Sequence, residues 1–149
     1  MKKIGEYTTR GSVSTDDLMN RIILDDGSFK TGYRVVEFII AQNDMDESST
    51  TSLTAKLLTD GRGTPGRNWN WDNNAEIAWA VYTHDANAIA PNDFNKVDPD
   101  NLVIQDLFIV ADNNATTEVE IVNYFIRLEK YEISDYQAAL AMVRNRSQS

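Results

Sequence analysis

Apolar residues recur at every second position in short runs separated by Gly, Asn, Asp and Pro clusters, which is the period and punctuation of β-strands. Residues 21–25 (RIILD) lead into Asp26-Gly27, a hairpin signal because glycine accepts the positive φ that a tight two-residue turn requires. Residues 33–42 (YRVVEFIIAQ) follow, with Val36, Phe38 and Ile40 on one face and Tyr33, Val35 and Ile39 on the other. Apolar residues on both faces predict a central strand covered on both sides. In residues 53–58, Leu53, Ala55 and Leu57 alternate with Thr54 and Lys56, so the first three are expected to face inward and the last two outward, as in a half-exposed antiparallel strand. Residues 75–82 repeat that logic with Ile77, Trp79 and Val81. Residues 102–111 (LVIQDLFIVA), the turn Asp112-Asn113-Asn114 and residues 119–130 (VEIVNYFIRLEK) together predict a long hairpin, with Val122, Tyr124, Ile126 and Leu128 on one face of its second arm. Five to seven strands of this kind point to a mainly β fold, an antiparallel β-sandwich or a Greek-key or jelly-roll-like barrel.

The period changes once, at the end of the chain. Ser134 and Gln137 form a capping box, and Tyr136, Ala139, Leu140 and Val143 follow at helical spacing, so a short C-terminal α-helix is expected to dock one apolar stripe. Arg144 and Arg146 would lie near the negative end of its dipole. A shorter helical turn is expected from Thr15 through Met19. The predicted organisation is an N-terminal arm over 1–19, a β domain over 20–132 that includes a loop at 59–74, and a helix with tail over 133–149.

At 149 residues the chain fits one domain and buries enough surface to need no staples. The absence of cysteine removes disulfide scaffolds, thiolate metal sites and cysteine nucleophiles. A formal charge of −9, from 14 basic and 23 acidic residues, argues against nucleic acid and anionic lipid as partners. The two early lysines are followed by polar residues rather than the apolar run of about 7–15 that an export signal carries. No apolar stretch approaches the roughly 20 residues of a spanning helix. The sequons at Asn114 and Asn145 are therefore read as chance matches.

Four patterns carry potential chemistry. Residues 61–66 (GRGTPG) match GxGxxG, but the following residues lack the helical period that a phosphate-binding turn needs, and a loop is expected. Its Arg62 and Arg67 form a basic island in an acidic chain. Trp69 and Trp71 share a face in extended chain, with Asn68, Asn70, Asp72, Asn73 and Asn74 beside them; flat rings flanked by a few polar groups suit a sugar face, an interface anchor, or a loop pinned to the core. Asp44 and Asp46, Asp98 and Asp100, and Asp112 are candidate calcium ligands; none sits at EF-hand spacing, turn formation explains the same residues, and no cofactor is expected. His84 beside Asp85 could act as a base, but no nucleophile elbow accompanies it, and no pair of carboxylates stands out for glycoside hydrolysis. The chain is read as a non-enzyme.

Three stretches carry a resemblance. They are the polar N-terminus with Arg10-Gly11, the block WDNNAEIAWAVYTHDANAI, and the closing VNYFIRLEKYEISDYQAALAMVRNRSQS. In these the chain resembles small virion structural proteins of tailed bacteriophages or marine viruses. The resemblance implies a minor capsid, cement (decoration) or fibre-base protein, made in host cytoplasm and assembled into a virion. It would contact other copies of itself and a major capsid or other virion protein, and no individual functional residue follows from it. The competing expectation is a carbohydrate-binding or receptor-binding module that uses the Trp69 and Trp71 loop. Between Lys96 and Arg127 the chain carries six acids and no base, whereas basic residues gather in the N-terminus, the Arg62 to Arg67 loop and the Arg144 to Arg146 tail. Contacts with neighbours are therefore expected at those basic regions.

Overall fold

A computed structural model of the chain describes residues 2–24, 27, 30–44, 51–61, 66–84, 92–104, 106–114, 118–134 and 140. The strands are β1 (Lys2–Ser14), β2 (Asn20–Ile22), β3 (Thr31–Gln42), β4 (Thr51–Leu58), β5 (Glu76–His84), β6 (Asn92–Val97), β7 (Leu107–Asn113) and β8 (Ile121–Glu132). They form two antiparallel sheets, a small one ordered β1-β8-β3 and a large one ordered β2-β7-β4-β5-β6. The protein is mainly β, as its alternation implies.

One apolar cluster joins the two sheets. Val35, Phe38 and Ile40 of β3 and Val122, Ile126 and Leu128 of β8 meet Leu53, Ala55 and Leu57 of β4, Ala78 and Ala80 of β5, and Leu107, Ile109 and Ala111 of β7. Each strand presents alternate residues to the cluster because side chains on a pleated strand point to opposite faces in turn. For β4 and β8 these are the residues that the pattern predicted.

Other expectations fail for identifiable reasons. β7 and β8 do not form a hairpin: β7 lies between β2 and β4, while β8 lies between β1 and β3. Alternation encodes which face is apolar, not which strand is the neighbour, and both strands have one apolar face. For the same reason β2 pairs with β7 rather than with β3, although Gly27 has the expected positive φ of 83°. β3 is not central; among the described residues it pairs along its length with β8 alone, and a bridge joins Tyr33 to Val103 on its other side. A register shift between Val35 and Glu37 turns Val35 and Phe38 to the same face and leaves Val36 at 45% exposure. In β5 Ile77 reaches the core cluster as expected, but past the register shift beside it the inward residues are Ala78, Ala80 and Tyr82, opposite Leu57, Ala55 and Leu53. Trp79 and Val81 point the other way.

Residues 102–111 do not form one strand. Val103 bridges to Tyr33, while Asp106, 5% exposed, accepts hydrogen bonds from Arg21 and from the Leu24 backbone before β7 begins. Residues after Ser14 form a turn in which Asp17 N donates to Ser14 O at 3.2 Å. Of the segment 133–149 expected to form the C-terminal helix and tail, only Ile133, Ser134 and exposed Leu140 are among the described residues.

Candidate functional site

The outer face of the large sheet, away from the shared core, carries the most concentrated polar chemistry. Alternation on β4 predicts that Lys56 points to water. It does point away from the core, yet its side chain is 2% exposed because residues 66–75 cross over this face. Lys56 Nζ donates to Glu76 Oε2 at 2.8 Å and to the Asn68 carbonyl at 2.7 Å. Glu76, whose side chain is 1% exposed, also accepts hydrogen bonds from Trp79 Nε1 at 3.0 Å, Asn70 N at 2.8 Å and Asn70 Nδ2 at 3.2 Å. Burial alone would raise the Glu76 pKa; the ammonium, indole and amide donors outweigh it and hold the carboxyl below its ordinary range. A carboxylate sealed this way is a structural anchor, with no open side from which to move a substrate proton.

The crossing loop is fixed at both ends. Asn73 closes the turn into β5 through its backbone and its side-chain oxygen. At the other end Arg67 donates to the Ala111 and Asp17 carbonyls and stands 3.8 Å from Asp112. Arg67 is thus committed within the chain. Arg62, Arg144 and Arg146 lie outside the described residues.

The two loop tryptophans separate. Trp69 stacks on Phe94 of β6 with ring centres 6.1 Å apart, and Trp71 tilts against Trp79 at 5.6 Å. Trp71 at 63% and Phe94 at 47% exposure leave ring surface open to solvent, with exposed Asn68, Asn70 and Asp72 alongside. Phe94 and the Lys56–Glu76 pair were not apparent from sequence. Phe94 stands among polar residues in the segment NDFNKV, whose other apolar residue is Val97 at its end, and residues 56 and 76 are linked only by the loop between them. The faint signal was Lys56 itself, one charge within a strand of otherwise small and apolar residues.

The glycine-rich segment has a packing role at its first residue. A Cβ on Gly61 would lie 2.4 Å from Cε1 of Phe108, so the ring occupies the space that any other side chain would need. Residues 62–65 lie outside the described residues. Gly61→Ala is expected to lower the unfolding free energy by about 1–3 kcal/mol, the usual cost of overpacking. Urea denaturation of Gly61→Ala, and of Gly61→Ala with Phe108→Leu, tests the cause, because the smaller partner should restore part of the loss.

His84 ends β5 opposite Thr51, and its Nδ1 has no hydrogen-bond partner among the described residues; Asp85 lies outside them. Asp98 accepts hydrogen bonds from Asp100 N and Asn101 Nδ2, the geometry of a turn. Asp44 is exposed, and Asp46 lies outside the described residues. Among the described residues no three His, Asp or Glu side chains gather in a way that could hold a metal ion.

The small sheet offers a different surface. Among the described residues β1 has one neighbour, β8, and from Lys2 to Ser12 every residue is exposed or half-buried; of its residues only Val13 reaches the core. Lys3 pairs with Glu6 at 2.6 Å and Glu129 at 2.8 Å, and Arg127 lies 3.5 Å from Glu6. Hydrogen bonds to Glu129 and Glu6 raise the Lys3 pKa, while that to Lys3 lowers those of Glu6 and Glu129. Beside Arg10 and Ser12 the same face has a shallow hollow of about 520 Å³ floored by Ile39, Ala41 and Phe125. Compared with known proteins, the chain matches no family model and no curated protein sequence.

Proposed function

We propose that this chain is a non-enzymatic β-sandwich protein that works through protein–protein interfaces, as a virion component of the minor capsid, decoration or fibre-base kind. The observation that carries the reading is β1: thirteen residues of strand whose outer edge pairs with no described strand and which bury almost nothing of their own. Strand of that length, left open, is a template for another chain. The most polar cluster of the large sheet serves the fold, which leaves the small sheet as the surface free to act. The three stretches that resemble phage and marine virion proteins supply the viral part of the proposal.

Sedimentation of the purified protein from micromolar to millimolar concentration, with electron microscopy of the heaviest fraction, tests it. Defined oligomers or ordered particles are the expected result. A monomer throughout that range would overturn the assembly reading.

One observation favours a second reading, carbohydrate binding: Trp71 and Phe94 present ring surface beside amide and carboxylate side chains. That reading expects a positive signal on a glycan array that is lost in Trp71→Ala while circular dichroism stays unchanged. Absence of wild-type binding would dismiss it.

A further inference from the structure

We infer that β1 joins two copies of this chain edge to edge, antiparallel and centred on Thr8, so that the small sheets of both copies become one six-stranded sheet. The inference rests on the assembly reading above and names its interface.

Every residue of β1 can contribute a backbone donor and an acceptor, because Lys2–Ser14 contains no proline. Pairing with β8 uses the groups on one side of the strand and, among the described residues, leaves the other side without a strand partner, which suits a main-chain docking mode in which side-chain matching sets the register. Two identical antiparallel strands must be related by a two-fold axis perpendicular to the sheet, since a closed dimer presents the same patch on both copies. The axis must therefore pass through one residue position.

Charge selects which position. Centred on Thr8, the full strand overlaps itself, Ser14 facing Lys2. Glu6 then faces Arg10 twice, and Tyr7 faces Thr9, an aromatic with a β-branched residue. Moving the centre to Tyr7 puts Glu6 opposite Thr8, and moving it to Thr9 puts Glu6 opposite Ser12, so both charge pairs vanish. Centring on Glu6 sets Glu6 against its own copy and Lys2 against Arg10, which repels. Glu6 is 53% exposed at its side chain, so beside Lys3 and Arg127 of its own chain it can take Arg10 of the copy as a further cation, and Arg10 is exposed with no ion-pair partner among the described residues. The register shift near Ile4 lies outside the central stretch from Gly5 to Gly11.

The absence of cysteine makes the test direct. Opposed residues in an antiparallel pair have Cα atoms about 4.5–5.5 Å apart, inside the disulfide range of about 4.4–6.8 Å. Thr8→Cys should therefore crosslink to its own copy under mild oxidation. Arg10→Cys should not, because its copy lies four residues out of register. In sedimentation, Arg10→Glu should weaken the dimer about tenfold, since two attractive pairs become two repulsive ones, and Glu6→Arg with Arg10→Glu should restore it. If wild type self-associates but Thr8→Cys does not crosslink, or Arg10→Glu associates as wild type does, β1 is not the interface and the assembly reading stands without it. A wild type that remains monomeric overturns both.

Discussion

Lys56→Ala is expected to lower the unfolding free energy by about 3–5 kcal/mol, the cost of leaving a buried charge without its partner. That is a large part of the roughly 5–15 kcal/mol that holds a domain together, so the variant should unfold at much lower urea concentration or fail to accumulate. The loss comes from Glu76, which keeps its indole and amide donors but loses the cation that balances it. Substituting both charges by apolar residues, Lys56→Met with Glu76→Leu, should destabilise less than Lys56→Ala, because no charge is then left buried. The pair also sets a pH dependence. The Glu76 pKa is depressed in the folded state, so its contribution is complete above the unfolded carboxylate range and disappears as pH falls through the folded value. Wild type should lose stability as pH drops below about 4.5, the ordinary value for this carboxyl. Glu76→Gln should have a flatter profile in that range, measured by urea unfolding at a series of acidic pH values.

Phe38→Ala should cost a comparable amount, about 3–5 kcal/mol. Phe38 is 0% exposed and belongs to the cluster shared by the sheets. Its strand packs across β4, β5 and β6, and backbone held on both sides of the gap by hydrogen-bonded sheet cannot collapse to fill the cavity. Val36→Ala, only two residues away, should change stability by no more than about 0.5 kcal/mol because that side chain is largely in solvent. The contrast tests the register shift in β3 directly: strict alternation would put Val36 and Phe38 on one face and make both substitutions costly. Urea unfolding with an unchanged m-value is the measurement.

These two positions also show how far the pattern of residues could be followed. The β class and the inward faces of β4 and β8 were legible because burial on one side of a pleated strand enforces a period of two. That period is lost when one extra residue enters a strand, as between Val35 and Glu37 and again in β5, where Ile77 reaches the core but, past the register shift, Ala78, Ala80 and Tyr82 rather than Trp79 and Val81 line up with the inward residues of β4. Pairing was less legible still. β7 and β8 look like two arms of a hairpin, and only the arrangement in space assigns them to different sheets. Lys56 was read as a surface residue because nothing local reveals that a loop from the next connection will cover it. The tryptophans of that loop stand out in the sequence, but their partners Phe94 and Trp79 come from different strands.

The placement of β8 has a consequence for how the chain acquires its structure. β8 is the last strand among the described residues, and both β1 and β3 pair with it rather than with each other. As the chain leaves the ribosome, the two longest early strands have no lateral partner in their own sheet until residues 121–132 emerge, and joining Lys2 to Glu132 closes nearly the whole length of the chain. Contacts this distant in sequence slow folding and prolong the exposure of unpaired edges. The large sheet can assemble first and offer β3 an apolar face on which to wait, whereas β1, with Val13 alone in the core, has no such support and should be the last strand to settle.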